Sequence, residues 1–203
     1  MGVTIFSGLH EHLRPEAARL YWEAFGGKLS RVLGPEARAH RYFERVIRAD
    51  HCLAALDQTG ALVGIAGFKT PLASFAGGTW ADLCALYGPV GGRWRGRVLR
   101  LLSDDTDHES FLVDGLCVAR DCRGRGIGGP LLSALYREAG ERGYASVRLD
   151  VVADNRRARA LYERHGFLPT RTEKLGFLRH FFGFSATITM VRPLEPRRDW
   201  GKS

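Results

Sequence analysis

Apolar residues recur at helical spacing over residues 15–25, where Ala17, Leu20, Tyr21, Ala24 and Phe25 share one face. Gly26 and Gly27 are expected to end that helix. A second helix is predicted over 36–49, with Ala39, Tyr42, Phe43, Val46 and Ile47 on one side. Residues 3–6 form a short β-type run. Residues 51–56 and 61–68 read as strands joined by a turn of hairpin composition at 57–60. From residue 111 the pattern alternates. Strands are predicted over 111–118, 147–152, 167–172 and 185–192, with helices over 129–142 and 155–165. A hairpin followed by alternating strands and helices predicts an α/β (α+β) fold: one mixed, mostly antiparallel sheet flanked by helices.

The stretch 70–110 breaks the pattern. It is too long for a bare loop in a compact domain and reads as an insertion carrying one or two short helices. The chain has 203 residues, 45% of them hydrophobic and 26% charged. That suits a single domain over 1–193 with a flexible tail over 194–203. No window approaches a membrane-spanning run, and residues 1–12 lack the features of a secretory signal, so the cytoplasm is expected. The four cysteines, Cys52, Cys84, Cys117 and Cys122, have neither C-x-x-C nor zinc spacing, and buried free thiols in a reducing compartment are the expectation. The seven histidines show no paired ligand spacing, so no metal is expected. The net charge of +8 points to an anionic partner, which a polyphosphate cofactor, RNA or an acidic substrate would each satisfy.

The sharpest chemical signal is the run Arg123, Gly124, Arg125, Gly126, Ile127, Gly128, Gly129 and Pro130. It follows an apolar strand and opens a helix with Leu131, Leu132, Leu135 and Ala139 on one face. Glycines at such a junction let backbone N–H groups approach a ligand, and the helix N-terminus adds unpaired donors and partial positive charge. Together they suit a phosphate or pyrophosphate, with Arg123 and Arg125 as further donors. A tight turn with solvated arginines is the alternative. The run is not a Walker A loop, since no G-K-[ST] follows, and its G-x-G-x-G spacing does not fit the dinucleotide fingerprint.

R-G-R-G-I-G at this junction resembles the Q/R-x-x-G-x-G/A motif of the GNAT acetyltransferase superfamily, with Arg123, Gly126 and Gly128 at the matching positions. The downstream run resembles the same family through Val151, Val152, Ala153, Asp154 and Asn155, then Ala158, Ala160, Leu161, Tyr162 and Glu163, then Gly166 and Phe167. The resemblance is specific over 111–167. It implies a sheet whose strands 111–118 and 147–152 splay apart. Acetyl-CoA is then the acyl donor, its pantetheine arm lying against Leu116, Cys117 and Val118 and its pyrophosphate on the turn Arg123 to Gly129. Asn155, Ala158 and Tyr162 become further donor contacts. The implied reaction is direct transfer of an acetyl group to a primary amine, on a small molecule or a peptide.

Asp114 stands in a strand that is otherwise apolar on both faces, where a carboxylate is costly unless paired or useful. It is the candidate general base, with Glu109 upstream as the second candidate and a satisfied structural carboxylate as the alternative. Gly115 would weaken the strand unless a bulge or a close approach needs it; a bulge would turn the N–H of Cys117 or Val118 toward an oxyanion. Asn155 and Tyr162 lie close to two turns apart and share a helix face. A helix cap is the alternative for Asn155, and a core aromatic for Tyr162. The resemblance makes the Tyr162 phenol the acid that protonates departing thiolate. Arg156, Arg157 and Arg159 crowd the start of the same helix, where the CoA phosphates are one destination and water, the preferred reading, the other. The resemblance implies that the first helices, the insertion and the last hairpin bind the acceptor, and their aromatic residues (Tyr21, Trp22, Phe25, Trp80, Tyr87, Trp94, Phe177, Phe181, Phe182 and Phe184) suggest an apolar-walled pocket.

Two rivals stand beside this. Residues 93–100 interleave four arginines with Trp94, which suits phosphates and a stacked base. A nucleic-acid module is set aside because no RNA-fold motif accompanies the stretch. A CoA-binding sensor without catalysis is the other, and the presence of Tyr162 and Asp114 speaks against it. Homodimers are common in the superfamily, and nothing in the sequence decides for or against one.

Overall fold

The computed structural model describes residues 2–102, 109–176 and 183–195. Seven strands make one open sheet in the order β1-β2-β3-β4-β5-β7-β6. They are β1 (Thr4–Ser7), β2 (Cys52–Leu56), β3 (Leu62–Lys69), β4 (Phe111–Val118), β5 (Ser146–Val152), β6 (Leu168–Lys174) and β7 (Ala186–Pro193). Neighbours pair antiparallel except β4 and β5, which are parallel. The mixed, mostly antiparallel sheet expected from the pattern is what forms.

Helices cover both faces, which is why the central strands read as nearly continuous apolar runs. Alternation along β3 sends Ile65 into a core with α1 (Arg14–Leu33) and α2 (Glu36–Val46), and Ala66 into a core with α4 (Gly128–Glu141). Along β4, Cys117 faces the α1 core while Leu116 and Val118 pack against the α4 core, which also holds Tyr162 of α5 (Arg156–Arg164).

The first helix does not stop at Gly26 and Gly27. It continues to Leu33, because Val32 and Leu33 extend its apolar face into the core at 0% and 1% exposure. Burying two such side chains contributes about 1.5–3 kcal/mol each, more than the ~1 kcal/mol each helical glycine costs. Gly26 is also a packing residue: a Cβ there would lie 2.9 Å from the Trp22 ring. The second helix ends at Val46, short of residue 49, and a single 3-10 turn over Ala49–His51 leads into β2. Within 70–110 the chain forms α3 (Trp80–Leu102), a helical rod broken at Gly88, whose φ of 72° no helix adopts, with Pro89 opening the second piece. Residues 103–108 of that stretch lie outside the described residues.

Two irregularities in the sheet matter for function. β4 and β5 pair only at Phe111 with Val147 and Leu112 with Arg148, then separate. The closed end is pinned where Ser146 Oγ donates to Ser110 Oγ at 3.0 Å. In β4, Val113 and Gly115 face adjacent β3 residues, Phe68 and Gly67, so Asp114 is the extra residue of a β-bulge.

Candidate active site

The splay of β4 from β5 opens a cleft of about 640 Å³ through the sheet. Its walls are the diverging strands, residues 113–118 and 149–152. On the α4 face it is lined by the glycine-rich turn and by Asn155, Arg157, Ala158, Leu161, Tyr162, Arg164 and His165. On the other face α1 contributes Glu23, Ala24, Phe25 and Lys28.

The bulge brings Asp114 and Gly115 to the α1 face. Asp114 Oδ2 accepts hydrogen bonds from Ser74 Oγ at 2.6 Å and from the Ala76 N–H at 2.9 Å. Its Oδ1 makes no hydrogen bond among the described residues. The carboxylate is therefore anchored through one oxygen, and Asp114 lines the cleft. Gly115 is required by close approach: a Cβ would lie 2.8 Å from the Phe25 ring and 3.1 Å from Tyr21. The extra residue is thus Asp114, with Gly115 making room beside it. Glu109 precedes β4 at the closed end of the splay and does not line the cleft.

Tyr162 enters from α5. It is buried, its ring set edge-on against Phe167 at 5.8 Å, and its hydroxyl makes no hydrogen bond among the described residues. Burial pushes its pKa well above the ordinary phenol value, so it holds its proton throughout the neutral range. Asn155 caps α5, its Oδ1 accepting from the Ala158 N–H at 3.1 Å, and also lines the cleft. Cys117 is buried, and loss of solvent pushes its thiol pKa up.

In the turn, Gly124 and Gly126 take φ of +85° and +82°, which L side chains rarely adopt. The N-cap residue of α4, Ile127, gives no side-chain cap, and no acidic residue stands in the first turn. Gly128 lets Leu161 approach to 2.9 Å from where a Cβ would be, holding α5 against the turn.

Arg123 lines the cleft and also has protein partners. Its Nε donates to the Val118 carbonyl at 2.9 Å and a terminal nitrogen pairs with Glu23 at 3.0 Å, tying the end of β4 to α1. Arg125 does not line the cleft. Arg157, read from sequence as solvated, lines it and reaches within 3.1 Å of the Cβ position of Gly124. Arg159 pairs with Glu163 at 2.7 Å and Arg156 is exposed, as that reading had it. Arg157, Leu161, Tyr162 and His165 share one face of α5. His165 also lines the cleft; burial, then the charges of Arg192 and Arg164, lower its pKa and keep it neutral.

Of the aromatic residues expected around an acceptor, Phe25 lines the cleft and Phe184 stands beside Lys28. Tyr21, Trp22 and Tyr87 are instead core residues. Trp80 and Trp94 lie on the surface of α3, where Arg93 sits over Trp80 and Arg95 stacks between Tyr87 and Trp94 at 4.2 and 4.4 Å. Phe177, Phe181 and Phe182 fall outside the described residues. Among the described residues no cluster of three His, Cys, Asp or Glu could hold a metal, and no helix is long and apolar enough to cross a membrane.

The sequence matches the acetyltransferase (GNAT) family over residues 14–167. It is 36% identical over 111 residues to a probable N-acetyltransferase camello of Xenopus tropicalis, a match covering 55% of this chain and 50% of that protein. It is 36% identical over 70 residues to an uncharacterized N-acetyltransferase, YhfO, of Bacillus subtilis, covering 34% of this chain and 44% of that one. The matches thus span about half or less of these relatives. A solved GCN5-related N-acetyltransferase from Kribbella flavida shares the fold with a TM-score of 0.64 at 17% identity, over 95% of this chain and 98% of that one.

Proposed function

The chain belongs to the GNAT acetyltransferase family, and from that premise we propose that it moves an acetyl group from acetyl-CoA to a primary amine by direct transfer in a ternary complex. The observation that carries this reading is the parting of β4 from β5 after Leu112 and Arg148. It leaves the edge of β4 over 113–118 without a strand partner on the β5 side. An extended amide-bearing arm fits there as an added strand. The turn before α4 suits the pyrophosphate of the same molecule, with Arg123, which lines the cleft, and Arg157 beside Gly124 as guanidinium donors.

The two faces of the cleft then divide the work. Asp114, anchored through Oδ2, takes a proton from the acceptor ammonium through Oδ1, directly or through water. The freed amine attacks the thioester carbonyl. Backbone N–H groups of β4 below the bulge hold the negative charge that develops on the carbonyl oxygen. Tyr162, protonated because it is buried, delivers its proton to the departing thiolate. Glu109, off the cleft, has no part in this scheme. The acceptor is a small-molecule or peptide amine approaching from the α1 face. The buried free thiols suit the reducing cytoplasm.

The test is release of free thiol from acetyl-CoA with a panel of primary amines. The reading predicts amine-dependent release and intersecting initial-rate lines. Tyr162→Phe should lower turnover about 100-fold or more while acetyl-CoA affinity stays within a few-fold. Unchanged turnover in that variant would remove Tyr162 from the chemistry.

A further inference from the structure

Lys28 is a cation in the cleft that no acidic side chain of the described residues answers. It projects from α1 one turn beyond Phe25 and is half-buried. Its ammonium sits 5.6 Å from the ring centroid of Phe25 and 5.4 Å from that of Phe184. Glu23, the cleft carboxylate on the same helix, is engaged by Arg123 at 3.0 Å and Arg120 at 3.5 Å. Asp114 has one oxygen committed to Ser74 and Ala76. Burial lowers the Lys28 pKa, as expected of an ammonium withdrawn from water without a counter-ion. Two aromatic faces offset part of that cost. A half-buried charge of this kind is best completed by an anion.

The side of the sheet narrows the choice of anion. Phe25 and Leu29, on either side of Lys28 in α1, pack against the α1–α3 core, whereas the glycine turn belongs with the α4–α5 core on the opposite face. An anion at Lys28 is therefore on the acceptor's side of the cleft and away from the site suited to the donor's phosphates. The Phe25 ring touches the Cβ position of Gly115, next to Asp114, and also neighbours the Lys28 ammonium. Phe25 thus borders both the bulge that carries Asp114 and the Lys28 ammonium.

We propose that Lys28 anchors the acceptor by an anionic group, and that the acceptor is a small amine bearing a carboxylate, of the amino-acid class, with its amino group at Asp114 and its carboxylate at Lys28. This deepens the acetyl-transfer reading and rests on it. The test compares the proteinogenic amino acids with their carboxamides as acceptors, at saturating acetyl-CoA, using the full chain. At least one amino acid should be acetylated with kcat/KM roughly 10- to 100-fold above its amide, the difference lying in KM. Lys28→Met should collapse that ratio toward one, and Lys28→Arg should keep most of it. A panel in which no amino acid is acetylated overturns the proposal, as does one in which acids and amides serve equally or Lys28→Met leaves the ratio intact. Calorimetric binding of acetyl-CoA, measured without acceptor, separates this failure from failure of the acetyl-transfer reading, since Lys28 lies away from the donor's phosphate site.

Discussion

Tyr21, Tyr42, Tyr162, Cys52 and Cys117 are acids in the interior, and in each of them burial is the largest cause of a pKa raised above the ordinary value. Cys52, 1% exposed, is pushed up to about 12. Below about pH 8.5 a thiol keeps its proton in both the folded and the unfolded chain, so it adds no pH dependence there. Above that value the unfolded chain ionises while the folded one does not. Stability then falls by about 1.4 kcal/mol per pH unit for each such group, until its folded pKa is reached. Phenols join the decline from about pH 10. Urea unfolding should therefore give a stability with no thiol-driven slope up to about pH 8.5 and a steepening loss above it. Cys52→Ala should make the slope between about pH 9 and 10 shallower by one thiol's share. A stability that stays level up to pH 10 would contradict the burial of these groups. The same physics serves the site: a phenol that cannot ionise at neutral pH is a standing acid.

At the scale of elements, the turn between β4 and α4 separates glycines needed for backbone shape from one needed for packing. Gly126 has positive φ with open space around it, so Gly126→Ala is strained by about 1–2 kcal/mol whatever its surroundings. Gly128 has no such φ, and its nearest neighbour is the tip of the flexible Leu161 side chain. Denaturant melts should show Gly126→Ala clearly less stable than Gly128→Ala, with acetyl-CoA affinity reduced in the former. Equal losses would mean that the turn is not held in the left-handed region. This junction was legible in the sequence because its signals are local: glycine spacing, an apolar strand before, an apolar-periodic helix after. Asp114 was legible as a lone carboxylate in an apolar run. What it bonds to was not, because Ser74 and Ala76 come from a distant segment. Gly26 and Gly27 misled the reading of α1, since tertiary burial of Val32 and Leu33 outweighs a local stop signal. Lys28 lies beyond that false stop and so went unseen as a cleft residue. Arg123 was legible through its motif position, whereas its protein partner Glu23, a hundred residues away, was not.

At the scale of the molecule, one sheet carries two cores, and among the described residues the only parallel strand pair is where the sheet opens. Every other neighbouring pair is stitched antiparallel along its length, so the split at β4 and β5 leaves the rest of the sheet intact. The cleft consequently joins both faces, with the glycine-rich turn on one and an anchored carboxylate on the other. The net charge of +8 fits a polyanionic donor but does not single it out. The measurement that bears most directly on the account is isothermal titration of the pure protein with acetyl-CoA, with NAD and ATP as controls. The account predicts saturable binding of acetyl-CoA and none of comparable strength for the other two. Absence of acetyl-CoA binding, or equal binding of NAD, would contradict it and leave the turn before α4 as a tight turn without a ligand.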